Sequence, residues 1–143
     1  MLRINAVAAL QLIQGFVPGM LERGWGRVLN VSSGASTGSP PDLFMYGSSK
    51  ALVDRLTTDL HAEVGGRGVA FNAVRVGAVA TEQWHYSNES GILERQGTGG
   101  DAHVFEPSDV ADAFVWLVGR PSEFSGHVLS FDDLVELGAL RPL

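Results

Sequence analysis

Arg27-Val28-Leu29-Asn30-Val31-Ser32 and Val69-Ala70-Phe71-Asn72-Ala73-Val74-Arg75-Val76 are the two stretches on which the fold turns. The first is a short run rich in β-formers. The second alternates, with Val69, Phe71, Ala73 and Arg75 on one side and Ala70, Asn72, Val74 and Val76 on the other, the period of a strand. Between them a Ser-, Gly- and Pro-rich loop runs from Ser33 to Phe44. A helical pattern over 45–64 follows, with Leu52, Leu56 and Leu60 along one face, Val53 and Val64 beside it, and Gly65-Gly66-Arg67-Gly68 as its stop. Upstream, Ile4, Val7, Ala8, Leu12, Ile13, Phe16, Val17, Met20 and Leu21 recur at helical spacing and predict a helix over 2–23, weakened at Gly15 and Pro18-Gly19 and stopped by Gly24. Downstream, 77–106 reads as a long polar, Gly-rich loop, the kind that is functional or mobile in a compact domain. Pro107 opens a further helix with Val110, Ala111, Phe114, Val115, Leu117 and Val118 as its buried side, 127–131 forms a third strand, and a short acidic tail closes the chain.

Strands alternating with helices imply an α/β fold, a parallel sheet of about three strands with helices on both faces. Ligands in such sheets sit at the carboxyl ends of the strands. That directs attention to Ser32-Ser33 and Val76-Gly77, where the first two strands end.

The 143 residues fit a single domain spanning 1–143, with 45% hydrophobic and 18% charged side chains. Ten basic residues against sixteen acidic ones leave a net charge of −6, which lacks the positive field a nucleic-acid partner requires. The absence of cysteine excludes disulfides, thiolate catalysis and Cys-ligated metal, and makes the cytoplasm the default location. His61, His85, His103 and His127 are scattered without ligand spacing, so no metal site is expected. Asn5, Gln11, Gln14 and Pro18 interrupt the apolar N-terminus, so neither a membrane span nor a signal peptide is expected there.

Tyr46 and Lys50 are four residues apart at the start of the second helix, which puts both side chains on one face a turn apart. A phenol with an ordinary pKa of about 10 moves protons poorly at neutral pH. A neighbouring ammonium favours the phenolate, and the helix N-terminus acts in the same direction. The pair therefore suits general acid/base work. Nine of the ten basic residues are Arg; the single Lys follows one of only two tyrosines at this spacing, which chance placement gives roughly 1–2% of the time. Thirteen residues before Tyr46, Ser33 leaves the first strand, where a hydroxyl can bind a carbonyl or alcohol oxygen.

Asn30-Val-Ser-Ser-Gly34 followed by Tyr46-Gly-Ser-Ser-Lys-Ala51 resembles the short-chain dehydrogenase/reductase family, and the resemblance runs from Asn5 to about Phe131. It implies a Rossmann-like, doubly wound parallel sheet and an oxidoreductase that moves a hydride between NAD or NADP and an alcohol/carbonyl small molecule. By that resemblance Tyr46 is the acid/base, Lys50 tunes it and holds the nicotinamide ribose, Ser33 positions the substrate oxygen, and Asn5, in Ile4-Asn-Ala-Val7, holds a water that links Lys50 to solvent. Val76-Gly77-Ala78-Val79-Ala80-Thr81 resembles the family's Pro-Gly-x-Val-x-Thr segment, with Val76 in place of proline; Gly77, Val79 and Thr81 would then wrap the nicotinamide. Residues 78–106 would be the substrate lid, with Trp84 and His85 among its bulky members. Helices 2–23 and 45–64 would pair copies across a two-fold axis, making a homo-oligomer.

The family's glycine-rich turn between a first strand and a helix has no match here. Gly34-Ala-Ser-Thr-Gly38 follows a strand but runs into Pro40-Pro41 and a loop, and Gly97-Thr-Gly-Gly100 has no preceding strand. The expectation is a partial sheet whose N-terminal strands are missing, a deficit on the order of 100 residues, with an uncovered first-strand edge near Val28 and Val31. The alternative to an active enzyme is a truncated, non-catalytic remnant or dimerisation module.

Overall fold

The computed structural model describes residues 1–38, 42–95 and 103–142. A π-helical turn, Arg3–Val7, leads into α1 (Ala8–Glu22), and β1 (Gly26–Ser33) ends in a 3-10 turn, Gly34–Ser36. Then come α2 (Phe44–Val64), β2 (Val69–Val76), β3 (Ala78–Val79), α3 (Glu82–Glu89), α4 (Ile92–Arg95), β4 (Val104–Phe105), α5 (Pro107–Val118), β5 (Val128–Ser130) and α6 (Phe131–Glu136). The main sheet is parallel, in the order β1-β2-β5. Its register runs from Gly26 opposite Val69 to Ser33 opposite Val76, so the first two strands end side by side.

The alternation of side chains along the strands sorts the core into two layers. On one face Ile13 and Val17 of α1 cover Val69 and Phe71, with Val28, Leu60 and Val64 around them. On the other, Val110, Ala113 and Leu117 of α5 and Leu134 of α6 pack with Val74 and Leu129. β2 is buried from Val69 to Val74, as a central strand covered on both faces must be. α1 runs through Pro18 to Glu22, and Gly24 ends it at φ +68°, where a side chain would be strained.

Four expectations change. Residues 77–106 are not one loop: β3 and β4 pair as a second parallel sheet, and α3 and α4 lie between them. Part of that segment, including Gly97-Thr-Gly-Gly100, lies outside the described residues. The acidic tail is helix α6, whose Ser130 hydroxyl accepts the Asp133 N–H while the Asp133 carboxylate accepts the Ser130 N–H. Such a reciprocal cap starts a helix even in a short polar segment. On α2 the leucine line is only partly covered: Leu60 packs against the core and Leu56 is half-buried, whereas Leu52 is exposed and Ser49, Val53, Asp54 and Thr57 are buried. Ser49 and Thr57 each reach an acceptor, which makes their burial tolerable. On α5 only one stripe at i, i+3, i+7 (Val110, Ala113, Leu117) is buried, leaving Val115 72% exposed and Val118 outside as well.

β1 is an edge of the sheet. The Gly26 N–H donates to the Gly68 carbonyl, so by alternation the main-chain groups of Arg27, Leu29, Val31 and Ser33 face away from β2. An apolar groove of about 240 Å³ lies beside that edge, lined by Leu12, Phe16, Met20, Val28 and their neighbours. The helix Arg3–Glu22 is long and apolar enough to cross a membrane by length and composition, despite its polar interruptions. In the fold its Ala6, Ile13 and Val17 are buried.

Candidate active site

Two hydrogen bonds from β1 seat α2 on the sheet. The Asn30 amide donates to Thr57 Oγ1 at 2.9 Å, and Ser32 Oγ donates to the Lys50 carbonyl at 3.3 Å. Two residues of the Asn-Val-Ser-Ser stretch thus face α2 and hold it. Tyr46 and Lys50 lie on successive turns of that helix, both half-buried, with Lys50 Nζ 5.8 Å from the centre of the Tyr46 ring. Amine and ring share one side of the helix, as their spacing requires. Lys50 Nζ also donates to the Val31 carbonyl at 2.8 Å, on the open side of β1.

Asn5 reaches this group from the other end of the sequence. It sits in the π-helical turn, where the wider spiral departs from α geometry, a local feature common at functional sites. Its Nδ2 donates to Ser49 Oγ at 3.0 Å, and Ser49 Oγ donates to the Tyr46 carbonyl at 2.6 Å. Asn5 is therefore joined to the Tyr46–Lys50 turn through Ser49, a fully buried hydroxyl that sequence reasoning did not single out. Its place one residue before Lys50 was the available signal.

Ser33 ends β1 half-buried, with its Oγ accepting the Ala35 N–H at 3.3 Å. That bond uses a lone pair and leaves the hydroxyl proton free to donate. The register sets Ser33 opposite Val76, next to Gly77. Gly77 is exposed, and a Cβ there would meet the Phe131 ring at 3.1 Å, so a side chain would crowd this strand end. The Val79 carbonyl accepts the Thr81 N–H at 2.7 Å, and Thr81 Oγ1 caps α3 by accepting the Trp84 N–H at 3.2 Å. Trp84 is half-buried and meets His85 edge-on at 5.2 Å. His85 itself is exposed, and no hydrogen bond or ring contact among the described residues ties either of them to Tyr46, Lys50 or Ser33.

A cleft of about 500 Å³ opens at the carboxyl ends of the strands, lined by Gly34, Thr37, Arg75, Gly77, Ser130 and Phe131 among others. Arg75, Thr37 and Ser130 were not foreseen, although each ends or follows a strand and the strand-end rule reaches them. Arg75 Nε lies 2.9 Å from Asp54 Oδ2. Among the described residues, no three His, Asp or Glu side chains converge as metal ligands.

Known proteins agree with this architecture. A family model described as short chain dehydrogenase matches residues 1–91. Glycine betaine reductase of Emericella nidulans is 31% identical over 133 residues, 93% of this chain and 10% of that protein. The 3alpha-hydroxysteroid dehydrogenase of Mediterraneibacter gnavus is 32% identical over 130 residues, 90% of this chain and 52% of that one. Among solved structures, a 3-oxoacyl-[acyl-carrier protein] reductase from Brucella melitensis with bound NAD superposes with a TM-score of 0.70 at 26% identity, covering 89% of this chain and 47% of that one. The chain thus spans about half or less of the length of these relatives.

Proposed function

Because the chain belongs to the short chain dehydrogenase family, we propose that it carries the proton-transfer machinery of an NAD- or NADP-dependent oxidoreductase interconverting an alcohol and a ketone or aldehyde. The observation that carries this reading is the Lys50 amine 5.8 Å from the centre of the Tyr46 ring on one face of α2, at the carboxyl end of the sheet.

The donor set fits a nicotinamide riboside. Lys50 offers an ammonium with N–H groups beyond the one given to Val31, suited to ribose hydroxyls. Gly77 is exposed and bare, so a flat ring can approach the main chain. Val79 and Thr81 follow it, suited to the carboxamide and the adjoining phosphate. A nicotinamide held there would supply the hydride chemistry. The chain's own groups handle the oxygen. Ser33 donates its free hydroxyl proton to the substrate oxygen. Tyr46 gives its phenolic proton to that oxygen in reduction and takes it back in oxidation, with the Lys50 ammonium on the same face of the helix. Asn5, through Ser49, holds the turn that carries both. Trp84 and His85, at the start of α3, belong to the substrate side within the lid 78–106.

The exposed apolar side chains Leu12, Phe16 and Leu52 support pairing of copies through helices 2–23 and 45–64, in a cytoplasmic homo-oligomer. They also favour the second reading, a non-catalytic dimerisation module. The dividing experiment follows nicotinamide absorbance with NAD, NADH, NADP and NADPH against a panel of secondary alcohols and ketones. Turnover that falls on the order of 10²–10⁴-fold in Tyr46→Phe is expected. Neither binding nor turnover with any of the four dinucleotides would overturn the enzymatic reading in favour of the second.

A further inference from the structure

One carboxylate oxygen gathers three segments of the candidate site. Asp54 Oδ2 accepts the Ser36 hydroxyl at 2.6 Å and the Arg75 Nε–H at 2.9 Å. Ser36 closes the turn that follows Ser33; Arg75 lies two residues before Gly77; Asp54 itself stands one helical turn beyond Lys50 on α2. Asp54 is only 8% exposed, and its second oxygen, Oδ1, is buried without a hydrogen-bond partner among the described residues. A buried carboxylate with an unpaired oxygen is costly, and a structure that served stability alone would do as well with an apolar side chain. We propose that Asp54 is a positioning residue: through Ser36 it sets the place of Ser33, and through Arg75 it sets the strand end that carries Gly77, both relative to the helix that carries Tyr46 and Lys50.

The physical argument is one of reference frames. Ser33 and Gly77 sit at the ends of paired strands, and the register fixes them to each other. It does not fix them to α2. Asn30 and Ser32 anchor the middle and the start of the helix to β1. Beyond Ser33 the chain enters the turn Gly34–Ser36, and the Ser36–Asp54 bond ties that turn to the helix. The bonds also differ in reach. Losing Ser36 should free the turn alone, losing Arg75 the strand end alone, and losing Asp54 both. The roles of Ser33, Tyr46, Lys50 and Gly77 rest on the function proposed above, but the mechanical claim does not.

The test measures amide hydrogen exchange in segments 34–37 and 75–78 for four variants. Ser36→Ala should speed exchange about tenfold or more in 34–37 only, Arg75→Met in 75–78 only, and Asp54→Ala in both. Asp54→Asn keeps an acceptor oxygen and should stay within a few-fold of the parent in both segments. Core amides of β2 should be unchanged throughout. Uniform acceleration across the molecule, or no acceleration in either segment, would overturn the proposal. If Asp54→Ala fails to fold, the opposite selectivity of Ser36→Ala and Arg75→Met decides alone. Where the chain shows nicotinamide-dependent turnover, Ser36→Ala should lower kcat several-fold at unchanged KM for the dinucleotide, and an unchanged kcat would overturn the positioning role. Absence of turnover in the parent chain would count against the proposed function, and the exchange pattern would still decide this inference.

Discussion

Lys50 donates its ammonium to the Val31 carbonyl at 2.8 Å, on the side of β1 that turns away from β2. The residue proposed to assist Tyr46 is thus also the partner of a main-chain acceptor that, among the described residues, no neighbouring strand of the sheet pairs. Its head group lies between the Tyr46 ring and the strand edge.

Lys50→Met keeps the stem and removes the charge. Turnover should drop on the order of 10²-fold or more, because the proposed acid/base group loses the ammonium that sits 5.8 Å from its ring centre. The fold should survive, since the bond to Val31 is exposed and worth about 1 kcal/mol. Steady-state kinetics alongside circular dichroism would check both halves, and an unfolded variant or an unchanged kcat would contradict them.

Phe71 is fully buried at the centre of the α1 face of the sheet, packed with Ile13, Val17 and Val69. Phe71→Ala should cost about 3–5 kcal/mol, from lost transfer energy and the cavity left behind. Urea denaturation would measure it, and a loss under about 1 kcal/mol would mean the layer collapses around the gap.

Gly68 and Gly138 both adopt positive φ, +82° and +70°. At Gly138 an added Cβ meets nothing, whereas at Gly68 it overlaps the carbonyl of Gly24. Gly138→Ala should therefore cost only the backbone strain, about 1–2 kcal/mol. Gly68→Ala must also move the α1–β1 turn and should cost more. Thermal melts of the two variants give the comparison, and equal losses would refute it.

The Asp133 carboxyl is held below its usual range, first by the Ser130 main-chain N–H and next by the Ser130 hydroxyl. A carboxyl with a depressed folded-state value adds stability above its unfolded value of about 3.9 and loses it as pH falls through the folded value. α6 should accordingly be intact at neutral pH and loosen at its first turn in acid, below about pH 4. Exchange of the 131–136 amides across an acid titration would show it, with Asp133→Asn as the variant whose response is flat.

Local pattern made much of this chain legible. β2 was readable to its ends, Val69–Val76, although the alternation expected there is absent from its burial, which covers both faces from Val69 to Val74. α6 was missed because Phe131–Glu136 is too short to show a period, and its capping pair, Ser130 and Asp133, is recognisable only as a reciprocal cap. The leucine line of α2 told only part of its buried face: Leu60 meets the core and Leu52 is outside, while polar Ser49 and Thr57, each with an acceptor in reach, are inside.

What the amino-acid order determined by itself is the pairing of Tyr46 with Lys50 and the alternation of strand and helix, since both depend on residues a few positions apart and on the repeat of a single element. What only the tertiary structure decided is the company that pair keeps: Asn5 reaching Ser49 from 44 residues away, and Asp54 meeting Ser36 and Arg75 from two different segments. Such contacts are set by how distant segments pack, and side-chain hydrogen bonds over that range leave no period in the sequence.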